Sequence, residues 1–239
     1  MFQTYISILI PIYTVAYYFL LYRRREEEET VITKTPYSVS VRTTVKDERR
    51  YWDCFTRIVS TLNACQCMYM IYCETVTPKA TGLSDLYYVA TTSSLNSLYM
   101  FSSYLIVDGL FQLPDLYEFS FSLFLSILHH FVGGLGIYLI AQNQIGFFLG
   151  YYFAFTEIST PFLNLSWFFR GKFLFLIFYL FFFFSRIVTF PFLLEYLSHN
   201  TSEIMALQPL QIFMGFYGSY TLILLNLTWF IVLTRKIIG

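Results

Sequence analysis

Charge is what this chain has least of. Asp, Glu, Lys and Arg make up 13% of its 239 residues, against about a quarter in an ordinary soluble domain. The 15 basic and 15 acidic side chains cancel to a formal net charge of zero, so nothing suggests a nucleic-acid partner. Cysteine is also scarce: Cys54, Cys65, Cys67 and Cys73 all lie in or at the end of one apolar run. They are neither paired in loops nor set beside histidines, which argues against a disulfide framework or a metal site and leaves packed thiols. No internal repeat is visible, and no arginine-rich amphipathic leader.

What the chain has in abundance is apolar surface, with 56% hydrophobic and 22% aromatic residues. The few charges cluster and leave long stretches almost free of them. A helix needs ~20 mostly apolar residues to cross the hydrocarbon of a bilayer. Seven stretches qualify: about Phe2–Tyr22, Cys54–Tyr72, Leu86–Val107, Phe119–Ile140, Ile145–Leu165, Phe173–Leu197 and Leu207–Leu233. They are too long, and alternate too little, for barrel strands. The expected fold class is an all-α membrane protein with seven transmembrane helices.

Residues 1–22 read as an uncleaved transmembrane anchor. Their basic cluster, Arg23–Arg25, follows the apolar run, and no small-residue cleavage site is present. Residues 23–51 form a charged loop, either a solvated or partner-binding arm or, from the alternating β-branched residues near Val31–Val45, a short hairpin. Residues 52–239 carry the remaining six helices. With seven spans, the basic residues of 23–50 fall on the same side as Arg170, Lys172, Arg235 and Lys236, while Lys79 alone lies opposite. The positive-inside rule then places the C-terminus in the cytosol, or in the matrix of a mitochondrial inner membrane. The endoplasmic reticulum and endomembranes are the favoured location.

Ionisable groups inside an apolar span cost roughly 2.5–3.5 kcal/mol each on insertion scales and are read as functional. Here they fall near helix midpoints: Asn63 on the second helix, Asn96 and Ser97 on the third, His129 and His130 on the fourth, Glu157 on the fifth and Arg186 on the sixth. Groups at one depth must face one another or a wet cavity. The third helix, rich in serine from Thr91 to Ser103 and ending near Asp108, is expected to line it. Ser122, Ser126, His129, Gly133 and Gly136 recur at helical spacing on one face, while His130 is turned ~100° from His129. Pro161 removes the hydrogen bond to the carbonyl of Glu157, so a kink and a free carbonyl are expected there. The layer is then either a buried network with Arg186 paired to Glu157 or a lipid pocket in which Arg186 also holds an anion.

Several motifs resemble the TLC-domain family, which includes ceramide synthases, translocon-associated proteins and smaller lipid-homeostasis proteins. They are Arg57-Ile58-Val59-Ser60, Tyr104-Leu105-Ile106-Val107-Asp108, His129-His130, the run Glu157-Ile158-Ser159-Thr160-Pro161-Phe162-Leu163-Asn164 with Trp167, Arg186, and Asn226-Leu227-Thr228-Trp229-Phe230. The resemblance spans Trp52 to the C-terminus and is nearest to the small, non-synthase branch. It implies six helices in a bundle or barrel around an intramembrane, lipid-accessible cavity, preceded by one extra helix.

Together with the midpoint residues above, the candidate site is His129, His130 and Glu157, with Asn63, Asn96, Ser97, Asp108, Thr160, Asn164 and Arg186 as pocket residues. Thr160 and Asn164 stand where ceramide synthases carry acids, and Asn63 where small members carry histidine. Ceramide synthesis is therefore not the expected activity. The motifs allow acyl transfer from acyl-CoA, with a histidine as base and Glu157 orienting it, without requiring it. The expected role is binding of a membrane lipid or acyl chain, such as a phospholipid, in membrane-lipid homeostasis. A catalytically inactive subunit of a larger membrane assembly is the alternative, with 28 Phe and 21 Tyr residues as contact area.

Overall fold

The computed structural model describes residues 1–18, 41–76, 91–114, 120–144, 146–206 and 208–238, and every regular element among them is helical. We label the helices α1 (Phe2–Tyr17), α2 (Val41–Val76), α3 (Thr92–Gln112), α4 (Phe121–Asn143), α5 (Phe147–Thr156), α6 (Thr160–Phe169), α7 (Lys172–Phe182), α8 (Phe190–His199), α9 (Thr201–Met205), α10 (Pro209–Ile212) and α11 (Ser219–Ile238). A three-residue 3₁₀ turn, Glu157–Ser159, joins α5 to α6. Wider π-turns at Phe183–Val188 and Phe213–Gly218 join α7 to α8 and α10 to α11.

Each expected apolar stretch falls on one of these rods, with shifted ends. The largest shift is in α2, which begins at Val41 and not near Cys54. The arm expected over residues 23–51 is thus helical from Val41 onward, and the hairpin expected near Val31–Val45 does not extend past that point. No Pro or Gly interrupts Val41–Val76, so a helix nucleated in the apolar part propagates into the charged part at little cost. Residues 19–40 and 77–90, which include the rest of that arm and the start of the expected third span, lie outside the described residues.

Local chemistry explains the breaks. Ser120 caps α4 by accepting the Leu123 N–H at 3.2 Å, and Thr91 caps α3 by accepting that of Ser94 at 3.2 Å. The chain reverses between α4 and α5 through Gln144 at φ 54° and Gly146 at φ 76°, and glycine takes that left-handed conformation without steric penalty. Pro161 has no N–H for the Glu157 carbonyl. The Thr160 N–H bonds it instead, which tightens the backbone into the 3₁₀ turn. The α-helix is thus interrupted where the kink was expected, but the carbonyl is not free. Pro191 likewise cannot donate to Ile187, four residues back, and the π-turn that widens this rod sits there and carries Arg186.

α3 and α4 run antiparallel and are in the most extensive contact. A methyl on Gly134 would lie 2.8 Å from Ile106 Cγ1 and 3.3 Å from the Ile106 backbone nitrogen. Ser102 Oγ donates to the Gly134 carbonyl at 2.7 Å across this seam, the close approach that small residues permit between helices. The serines of α3 serve packing and not the cavity. Ser94, Ser102 and Ser103 are buried; Ser103 bonds the Tyr99 carbonyl, and Ser94 bonds the Glu74 carboxylate together with Thr91. The third helix does line a cavity, but through Tyr104 to Gln112 and not through its serine-rich turns, where the hydroxyls of Ser94, Ser102 and Ser103 bond helix carbonyls and a neighbouring acid.

Three described segments are long and apolar enough to cross a bilayer: Phe121–Asn143, Lys172–His199 and Pro209–Ile237, with mean hydropathies of 1.8, 2.2 and 1.6. Phe2–Tyr17 is apolar but shorter. Phe173, Phe184, Phe192, Phe213 and Leu224 all project outward and stand more than half exposed, a surface suited to lipid and not to water. No disulfide joins Cys54, Cys65, Cys67 and Cys73.

Gly134→Ala should lower the stability of the purified protein by ~1–3 kcal/mol, because Ile106 is hemmed in by its own backbone. A thermal melt in detergent that matches the parent would contradict the close seam.

Candidate functional site

Among the described residues the packed rods leave a cavity of about 600 Å³ between α2, α3, α4, α6, α7 and α11. Its lining comes from residues 52–60, 104–112, 122–130, 157–164, 178–186 and 229–236. Gln112, Ser122 and Lys236, near the helix ends, stand at the mouth. Glu157, Arg186 and the histidine pair form the inner end. Phe178, Phe182, Leu163 and Leu233 supply apolar wall between them. The lining thus comes from the last turns of α3 and α11 and the first turns of α4, toward one end of those rods.

At the inner end, Arg186 NH2 lies 3.3 Å from Glu157 Oε1, and its NH1 donates to Asn226 Oδ1 at 2.9 Å. The guanidinium also sits 5.1 Å from the centre of the Phe182 ring. The second carboxylate oxygen, Oε2, accepts from Thr160 Oγ1 at 2.7 Å. The hydroxyl at 160 thus orients the glutamate, as a second acid could not without repulsion. Both charges are buried, and each has directional partners, which a buried ion pair requires.

The histidines differ. His130 Nδ1 is 3.5 Å from Asp108 Oδ2 and 3.3 Å from the Leu105 carbonyl oxygen. Both neighbours can only accept, so a neutral His130 carries its proton on Nδ1 and keeps the lone pair on Nε2. The acid that orients this histidine is Asp108 on α3, not Glu157, which Arg186 and Thr160 occupy. His129 instead packs edge-on to Trp229, ring centres 5.2 Å apart, and its buried Nδ1 has no hydrogen-bond partner.

Asn164 forms a second junction. Its Oδ1 accepts from Arg57 NH1 at 3.1 Å, and its Nδ2 lies within 3.0 Å of the Arg57 carbonyl, Ser60 Oγ and Thr61 Oγ1. The Arg57 guanidinium stacks 4.6 Å over Trp167. An amide both donates and accepts here, which a carboxylate at this position would not.

Of the residues expected at the site, His129, His130, Glu157, Asp108, Thr160, Asn164 and Arg186 line the cavity. Asn63, Asn96 and Ser97 do not. Asn63 is buried elsewhere with neither amide atom bonded, while Asn96 and Ser97 are half-buried nearer the other end of the bundle. Sequence reasoning missed Tyr104, Ser60 and Trp52 as lining residues, and Asn226 as the second ligand of Arg186. Asn226 is a lone amide in an apolar helix and was recognisable as such; Tyr104 and Trp52 are indistinguishable in sequence from lipid-facing aromatics.

A helical membrane protein with a polar cavity open at one end is the class that these observations define. A family model described as the TLC domain matches residues 48–235, more than three quarters of the chain, and the chain belongs to that family as an integral membrane protein. No curated protein and no solved structure matches it.

Arg186→Met should cost ~3–5 kcal/mol by leaving the Glu157 carboxylate buried without its partner. Adding Glu157→Gln to that variant should recover much of the loss. Equal melting of the single and double variants in detergent would show that the pair is not coupled.

Proposed function

We propose that this protein is a seven-span TLC-domain protein that holds a membrane lipid, head group or acyl chain in the cavity between α2 and α11, and acts in membrane-lipid homeostasis. The observation that carries the reading is the cavity's two-sided chemistry. Arg57, Arg186, His130 and hydroxyls supply polar anchors, and Phe178, Phe182, Leu163, Leu233 and Trp229 supply apolar wall. Its volume of about 600 Å³ lies within the range of sites that enclose small ligands, ~300–1,000 Å³. Head groups recognised by arginine are anionic or zwitterionic. With Arg235 and Lys236 closing α11, the positive-inside rule turns the mouth to the cytosol and favours an endomembrane setting.

A second reading, lipid acylation from acyl-CoA, is favoured by one observation: His130 Nδ1 faces two acceptors, Asp108 Oδ2 and the Leu105 carbonyl, an arrangement in which a neutral ring keeps Nε2 as a base. His130 Nε2 would take the proton of an attacking lipid amine or hydroxyl as the new C–N or C–O bond forms, and would return it to the coenzyme A thiolate released when the thioester C–S bond breaks. Glu157 serves the neighbouring charge balance and not the proton transfer.

Native mass spectrometry of the full chain released from membranes should show a retained lipid. Arg57→Ala should reduce that retention severalfold. A spectrum of bare protein, with no stabilisation by added phospholipid, would overturn the lipid reading. Acyl transfer in membranes that survives His130→Ala would overturn the second.

A further inference from the structure

α1 lies outside the segment that matches the TLC domain, residues 48–235, and its sequence reads as an anchor. Its packing is not that of an anchor. Tyr13 alone among its residues is buried, at 0% exposure, while Ile8, Ile12 and Val15 point outward. The Tyr13 ring sits in a cage of Trp52, Phe55 and Phe111, with centres 6.0, 5.3 and 5.3 Å away. Phenylalanine would satisfy such a cage. The tyrosine hydroxyl goes further and donates to Asp108 Oδ1 at 3.1 Å.

That bond divides the carboxylate. Oδ1 is taken by Tyr13, while Oδ2 accepts from Gln112 Nε2 at 2.7 Å and faces His130 Nδ1 at 3.5 Å. Gln112 lies one turn along the same helix as Asp108, so it cannot fix the acid relative to a neighbouring rod. Tyr13 can, because it approaches from α1 on the other oxygen. Rotation of the carboxylate about its Cβ–Cγ bond would break the Tyr13 bond as it moved Oδ2 away from the imidazole.

We infer that Tyr13 is a positioning residue, which holds Asp108 against His130 and makes α1 a working part of the cavity site. The inference rests on the reading of His130 and Asp108 as a functional pair. It adds to that pair a third member from outside the family segment. Tyr13 touches no ligand; it acts through Asp108.

The test uses the full chain in lipid nanodiscs with nitrogen-15 histidine, the His130 signals being assigned by their loss in His130→Asn. In the parent, His130 should show a protonated Nδ1 and a lone-pair Nε2. Tyr13→Phe keeps the ring in its cage and removes only the hydroxyl; the Nδ1-protonated signal should fall and an Nε2-protonated one appear. Tyr17→Phe is the control, since Tyr17 packs edge-on against Trp52, 5.4 Å away, and tilted against Phe111, 5.8 Å away. An unmoved His130 in Tyr13→Phe, or an equal change in Tyr17→Phe, overturns the inference.

If Tyr13→Phe does not fold, Asp108→Asn gives the reciprocal reading through carbon-13 tyrosine: an unchanged Tyr13 Cζ signal overturns the inference and a shifted one supports it. Lipid retention measured on the same samples separates the two readings. Lipid retained with His130 unmoved defeats the role of Tyr13 alone. Lipid absent with His130 moved defeats the ligand reading alone.

Discussion

A guanidinium and a carboxylate 3.3 Å apart, set inside a bundle with almost no other charge at that depth, constrain everything around them. Neither ion is tolerable alone in such surroundings. Arg186 therefore ties three rods: its own, the α5–α6 rod through Glu157, and α11 through Asn226. The two backbone irregularities nearest the cavity serve this junction. The 3₁₀ turn before Pro161 presents Glu157 and Thr160 together, and the π-turn before Pro191 presents Arg186. Proline removes a helix hydrogen bond in both places, and the released geometry is spent on a polar contact that a straight helix would not make.

The cavity follows from the same economy of polar groups. Every acid that can be placed at its inner end is already bonded: Glu157 by Arg186 and Thr160, Asp108 by Tyr13 and Gln112 beside His130. The network holds its shape without a ligand because each carboxylate has donors. What the network leaves unoccupied is room, walled by aromatic rings and bounded by arginines, and amphiphiles suit such a space. The two histidines diverge for the same reason. His130 meets acceptors and becomes oriented, while His129 meets an indole and becomes packing.

The TLC-domain match spans α2 to α11 and stops short of α1. Yet the cavity wall near the mouth, Trp52 and Phe111, packs edge-on and tilted against rings from α1. A helix that a sequence reader assigns to anchoring is thus continuous with the site through an aromatic cluster and one hydroxyl. Aromatic side chains give no sign in sequence of whether they face lipid or one another, because both surroundings are apolar.

That ambiguity marks the boundary between what the chain declares and what its folding settles. Membrane residence, helical class and the positions of the apolar rods are dictated by composition and run length, since a bilayer admits few alternatives. Pro161, Glu157 and Arg186 were legible as a kink and an ion pair because each is costly without its compensation. The partner of His130 was not legible, because Asp108 lies at a helix end where an acid needs no explanation. Nor was the burial of the α3 serines, whose hydroxyls serve a helix seam as readily as a cavity. Depth along a helix places residues at a level, but only the rotation and tilt of packed rods decide which of them meet.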